Sequence, residues 1–275
     1  MTMARKVIPY GQHAIGKKDI DAVIDVLENR FLTQGELVPK FEESLVNYTG
    51  CQYATAVNSG TSGLHIACLT AGVKKGDFVW TVPNSFVASA NCALYCGATV
   101  DFVDIDPETR NISTEALAEK LECAKSNKTL PKLLIVVHFA GMSCDMEEIH
   151  KLCHPLGIKI VEDAAHGLGG SYKGKKIGCC EYSDMTVLSF HPVKSITTAE
   201  GGAVTSNSLE LQQKLQLFSK HGVTRNQEQM SGESEGPWYY EQVELGYNYE
   251  LQKNSILAKK NYQSYLVDQN RENIV

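Results

Sequence analysis

The chain has 275 residues, 43% of them hydrophobic and 21% charged, with a net charge of −6, enough apolar material for one large domain or two smaller ones. That acidic balance, without basic runs, argues against a nucleic-acid surface or an anionic membrane and for small-molecule partners. Apolar runs such as residues 133–137 fall far short of the ~20 residues that cross a bilayer, and no signal-type apolar core opens the chain, so a cytoplasmic protein is expected.

Taken in chain order, short β-branched runs alternate with helix-like segments. Residues 53–57 precede a helical pattern over 62–71, 77–82 precede 84–96, 99–105 precede 114–125, and 132–139 precede 146–154. Strand-like runs at 158–163, 184–190 and 202–206 follow. This alternation is the signature of βαβ units, and runs apolar on both faces suit a parallel sheet covered by helices, so an α/β fold is expected. Nine cysteines are scattered without C-x-x-C pairs, which fits reduced, mostly buried thiols and no metal site.

In such sheets ligands gather at the carboxyl ends of strands. There, "NSGTSG" (58–63) opens a helix, and Gly60, Thr61 and Ser62 can offer amides and hydroxyls to a phosphate; a plain capping turn is the alternative. The spacing is neither that of a Walker loop nor G-x-G-x-x-G, which argues against a dinucleotide fold. Asp163 ends the run 158–163, where a carboxylate needs a cation such as a protonated heterocycle; a helix-capping role is the alternative. His166 either lines the same site or sits in the turn. Phe86, in "VPNSFVAS", offers a flat face for a ring, and Ser189 can add a second phosphate contact. Lys194 follows in "SFHPVK", with Gly201 and Gly202 letting the backbone run close. A phosphate cradle, an aspartate for a pyridinium, a stacking ring and a Schiff-base lysine are what pyridoxal phosphate requires.

At this point the sequence resembles the DegT/DnrJ/EryC1/StrS sugar aminotransferases. The matching stretches are "FLTQGELVPKFEESL", "AVNSGTSGLHIA", "VPNSFVASANCALYCGATVDFVDID", "VEDAAHGLGGSYKGKKIG", "SFHPVKSITTAEGGAVTSN" and "LGYNY", in family order. The resemblance implies the type I fold of pyridoxal-phosphate transferases, with a mainly parallel sheet and helices on both faces. It implies an N-terminal segment over 1–30, a cofactor-binding large domain over 31–245, and the start of a small domain, largely missing, over 246–275. Thr61, Ser62 and Ser189 would hold the phosphate, Phe86 would stack on the ring, Asp163 would pair with its nitrogen, His166 would contact its side, and Lys194 would attach it. Asn248 of "LGYNY" would reach the partner subunit's cofactor in a homodimer with shared sites. Thr33, Gln34, Gly35 and His191 would lie near the substrate. The implied reaction transfers an amino group, with L-glutamate the expected donor, to C4 of a UDP-linked 4-keto-6-deoxy-N-acetylhexosamine, as on the route to pseudaminic acid.

Departures bear on this expectation. Ala199 stands where the family usually has glycine, and the run after "LGYNY" lacks the family's arginine and Thr/Ser-Asp segment. A non-catalytic protein of the same fold is one alternative. A sugar dehydratase is another, but its lysine position would carry histidine.

Overall fold

A computed structural model describes residues 13–32, 35–234 and 236–251. Seven helices are defined in it: α1 (Lys17–Asn29), α2 (Leu37–Thr49), α3 (Gly60–Thr70), α4 (Ala88–Tyr95), α5 (Thr114–Asn127), α6 (Met146–Cys153) and α7 (Leu209–Ser219). The main strands are β1 (Tyr53–Val57), β2 (Phe78–Thr81), β3 (Thr99–Phe102), β4 (Leu133–Val137), β5 (Lys159–Asp163), β8 (Met185–Ser189) and β9 (Gly202–Ser206). Two small ladders stand apart, β6 (Ser171–Tyr172) with β7 (Lys175–Lys176) and β10 (Val223–Thr224) with β11 (Glu241–Gln242). No helix among the described residues is long and apolar enough to cross a membrane.

The sheet runs β1-β9-β8-β5-β4-β2-β3. The pairings from β8 to β3 are parallel, as expected, and the order puts β5 near the middle. Strand β9 departs from the parallel expectation: it pairs antiparallel with both β1 and β8. The reason is its connection, because a parallel neighbour needs a crossover, usually helical, and the link over 190–201 contains none.

Both faces of the sheet are covered, which is why its strands read as continuous apolar runs. In β4, Leu133 and Ile135 face α3 and α7 in one core, while Leu134 and Val136 face α5 and α6 in another. A third core joins Phe41 and Leu45 of α2 to Ala54, Ala56, Leu188 and Phe190. The start of α3 falls two residues before the pattern suggests, because the Ser59 hydroxyl accepts from the Ser62 amide and caps it. The start of α4 falls four residues late. The Asn84 side chain donates to the Arg110 carbonyl at 2.8 Å, and the turn opened by Pro83 holds residues 84–87 outside the helix.

The 190–201 link closes on itself, with the Phe190 amide donating to Gly201 O and the Thr198 amide to Phe190 O. Its tightest point is Ala199, whose φ of 65° lies in the left-handed region. For a residue with a Cβ this costs roughly 1–2 kcal/mol, against roughly 0.4–1 kcal/mol that alanine recovers by restricting the unfolded chain. Ala199→Gly is therefore expected to stabilise the protein by about 0.5–1 kcal/mol, read as a higher urea midpoint at unchanged slope; an unchanged or lower midpoint would contradict the strain.

Candidate active site

Strands β1, β5 and β8 point the same way, so Val57, Asp163 and Ser189 end at one edge of the sheet. Gly202, where β9 begins, is paired with Val57 and Ser189 at that edge. A Cβ on Gly202 would stand 2.6 Å from the Ser59 backbone, and one on Gly60 would stand 3.0 Å from Ser189 Cβ. Glycine at both positions thus lets the start of α3 lie against the ends of β8 and β9.

The first amides of α3, at Gly60 and Thr61, have no acceptor within the helix and face the end where its dipole favours an anion. Ser62 is buried; its amide donates to Ser59 Oγ at 3.0 Å and its hydroxyl to Asn58 Oδ1 at 2.6 Å. Ser62 therefore shapes the cradle through its capping contacts, and Thr61 is the more open of the two hydroxyls.

Asp163 is only 5% exposed. Its Oδ2 accepts from Ser89 Oγ at 2.6 Å and its Oδ1 from the Ala165 amide at 3.1 Å. Ser89 in turn contacts Ser85 Oγ at 2.7 Å. No ion pair to Asp163 occurs among the described residues. Two donors leave a buried carboxylate with acceptor capacity and charge to spare, which suits a cationic group on a ligand.

Lys194 Nζ lies 2.7 Å from His166 Nε2. Burial pushes the Lys194 ammonium below its usual range, and Asp163 partly restores it. Burial, and then the Lys194 charge, push the His166 imidazole down, with Asp163 again opposing. A neutral imidazole accepting from the lysine satisfies both shifts. His191, one turn before Lys194, stands 3.8 Å from Glu200, and its carbonyl accepts from the Lys194 amide.

The other expected residues fall at different places. Phe86 is 76% exposed, in the turn that leads into α4 and its Ser89. Gly35 precedes α2, while Thr33 and Gln34 lie outside the described residues. Asn248 is exposed; its carbonyl accepts from Asn58 Nδ2 at 3.3 Å, beside the cradle of its own chain. That placement comes from a seam over 246–250. The Asn58 amide donates to Tyr249 O, the His221 amide to Tyr247 O, and the Tyr249 amide to Ser219 O. The seam requires glycine twice, since a Cβ on Gly222 would meet Glu244 O at 1.8 Å and one on Gly246 would meet Gly222 N at 2.0 Å.

Sequence reasoning missed Ser89 and Ser85, although both stand in the stretch that supplied Phe86. It also missed the pair beneath Asp163, where the buried Glu162 meets His138 Nε2 at 2.6 Å.

Comparison with known proteins bears on this geometry. The model of the DegT/DnrJ/EryC1/StrS aminotransferase family matches residues 13–258. The UDP-4-amino-4,6-dideoxy-N-acetyl-beta-L-altrosamine transaminase of Campylobacter jejuni is 41% identical over 245 residues, covering 89% of this chain and 61% of that protein. The chain thus spans about three fifths of the curated relatives it matches. Among solved structures, Helicobacter pylori PseC, an aminotransferase involved in the biosynthesis of pseudoaminic acid, superposes with a TM-score of 0.83 at 32% identity, over 97% of this chain and 68% of that one. Spr1654 of Streptococcus pneumoniae, a putative sugar aminotransferase solved in a PLP form, gives 0.79 at 25% identity, over 96% of this chain and 67% of that one. These matches, with the mostly parallel sheet, establish the type I fold of pyridoxal-phosphate transferases, and they indicate pyridoxal phosphate as its cofactor. The chain belongs to the DegT/DnrJ/EryC1/StrS aminotransferase family.

Proposed function

We propose that the chain carries the cofactor site of a pyridoxal-phosphate-dependent transaminase that places an amino group on C4 of a UDP-linked 4-keto-6-deoxy-N-acetylhexosamine, with L-glutamate as donor. The observation that carries this reading is the meeting of Lys194, His166 and the buried Asp163 at the sheet edge where α3 begins. The name of the 41%-identical relative supports the sugar-nucleotide class.

In this reading the Gly60 and Thr61 amides, with the Thr61 and Ser189 hydroxyls, bind the phosphate, and Ser62 joins them when its hydroxyl turns from Asn58 to the anion. Asp163, held in place by Ser89 and the Ala165 amide, keeps a positive charge at the ring nitrogen. Phe86 covers one face of the ring and His166 contacts its side. Pyridoxal phosphate, when bound, supplies a carbonyl for amine exchange and a sink for the electrons released as a proton leaves. Lys194 is the amine that anchors it and the base that moves that proton, and its partial burial favours the neutral form both tasks need. His191, Gly35, Thr33 and Gln34 are assigned to the substrate in this reading.

The large domain in this reading covers residues 31–245, preceded by a segment over 1–30 and followed by the start of a small domain over 246–275. A second copy of the chain is the expected partner, bringing its Asn248 to this cofactor. Phe86 and Val87, adjacent in the turn before α4, are apolar and largely exposed, a surface that a second copy would cover. A nucleotide-sugar substrate and nine free thiols fit a cytoplasmic setting.

Borohydride reduction in the presence of pyridoxal phosphate should fix the cofactor on Lys194, located by peptide mass spectrometry, and Lys194→Ala should abolish the label; attachment at another lysine would refute the assignment. Asp163→Asn should retain the label yet lower amino transfer about 10²–10³-fold, the usual cost of removing a charge aimed at the reacting centre. Near-normal single-turnover rates in that variant would remove Asp163 from its role. Ser89→Ala deletes one hydrogen bond to a charged group, and roughly ten- to a hundred-fold weaker cofactor binding is expected by fluorescence titration; unaltered affinity would show that Ser89 does not orient Asp163.

A further inference from the structure

Beneath Asp163 lies a buried pair with no part in that chemistry. His138, the residue after β4, is 1% exposed, and Glu162, on β5, is 6% exposed. The His138 main chain reaches the site directly, because its amide donates to Asp163 O at 3.1 Å. Its ring is held at both nitrogens. Nδ1 accepts from the Cys144 amide at 3.1 Å, so Nε2 carries the hydrogen and donates it to Glu162 Oε2 at 2.6 Å. Burial lowers the proton affinity of this imidazole, and Cys144 and Glu162 raise it further than that. A second proton would nevertheless sit on Nδ1, against the hydrogen of the Cys144 amide, so the neutral ring is the one the geometry holds.

Both ends of the pair are anchored. Glu162 Oε1 accepts from Ser183 Oγ at 2.5 Å and from Thr186 Oγ1 at 2.9 Å. Thr186 belongs to β8, which lies on the other side of β5 from β4, so the contacts of Glu162 span three strands. The turn after His138 is fixed as well. The Gly141 amide donates to His138 O at 3.0 Å, and the buried Asn111 accepts from the Phe139 amide and donates to Met142 O and Ser143 O. Asp163 is the last residue of β5, paired with Val137, the last of β4. Ladder ends are where backbone pairing alone constrains a residue least, and the His138–Glu162 bond adds a side-chain tie at that point.

We propose that His138 is a positioning residue for Asp163: bonded to Glu162 through its ring and to Asp163 through its amide, it fixes the backbone from which the Asp163 carboxylate faces the site. The inference rests on the reading of the site as one for pyridoxal phosphate, in which Asp163 meets the ring nitrogen. His138 touches no ligand there and acts through Asp163 alone. The effect is large enough to measure, since a displacement of about 1 Å can cost roughly 10²-fold in rate.

The test is a double-mutant cycle between His138 and Asp163, read as pyridoxal phosphate affinity by fluorescence titration and as the single-turnover rate of amino transfer. His138→Ala should weaken cofactor binding about ten- to a hundred-fold, the range for losing a hydrogen bond to a charged group, and should slow transfer with it. His138→Gln, whose side-chain amide reaches the place of Nε2, should restore most of both. In the Asp163→Asn background His138→Ala should cost less than about threefold, because its effect passes through that carboxylate. If His138→Ala does not fold, His138→Asn, which keeps an acceptor for the Cys144 amide but falls short of Glu162, takes its place in the cycle. Unchanged affinity and rate in a folded variant that has lost the Glu162 bond would overturn the proposal, as would equal losses with and without the Asp163 carboxylate. Either result leaves the cofactor site standing where Asp163→Asn alone slows transfer; where it does not, the role of Asp163 fails and this inference fails with it.

Discussion

A carboxylate buried at the end of a central strand, with no ion pair among the described residues, is the constraint around which the rest of the site is arranged. Strand β5 is hydrogen-bonded on both sides, so Asp163 cannot retreat to water, and leaving such a charge unpaired costs several kcal/mol. Ser89 and the Ala165 amide offset part of that cost. The remainder is a standing field for positive charge, and Lys194 and His166 both respond to it. The preceding residue gives the contrast. Glu162 projects to the opposite face of the same strand, where His138, Ser183 and Thr186 all donate to it. Burial alone would raise the Glu162 carboxyl, yet His138 and the two hydroxyls hold it below the usual range. Two successive buried carboxylates thus have different fates: one is saturated by protein donors and braces the strand, and the other is left to act on whatever occupies the site.

Much of this was legible in the sequence because it is local. The capping serine and glycines of "NSGTSG", the aspartate ending an apolar run and the lysine after another sit where strand ends must be. What was not legible depends on contacts distant along the chain. Ser89 reads as a helix residue until the fold brings it to Asp163, 74 positions away. The need for glycine at 222 and 246 is invisible until two backbones cross. His65 reads as one more polar residue in a helix whose remaining buried members, from Leu64 to Cys68, are apolar.

The seam over 246–250 ties three parts of the chain to one another. It joins the end of α7 through Ser219 and His221, the end of β1 through Asn58, and the interior of α3 through Tyr249 and His65. The cradle therefore does not stand on β1 and α3 alone. Asn58 accepts from Ser62 with its side-chain oxygen and donates to Asn248 O with its side-chain nitrogen, so one residue links the helix cap to the seam. A shift of the seam would be felt first in the capping contacts of Ser62, and through them in the direction of the first α3 amides.

The antiparallel β9 is a condition for the site as well as a departure from the parallel pattern. A parallel successor to β8 would need its chain carried across a face of the sheet, usually as a helix, and back to the far edge. The residues after Ser189 would then leave the edge where Asp163 and the cradle lie. Reversing direction instead keeps the whole 190–201 link over that edge, closed by the bonds between Phe190, Thr198 and Gly201. Lys194 sits within this link, and β9 re-enters at Gly202, where the missing side chain lets Ser59 and Gly60 pack against the strand. The strained Ala199 belongs to the same reversal. The strand direction, the left-handed turn and the glycine entry together deliver a lysine to the one edge of the sheet where a buried carboxylate attracts it.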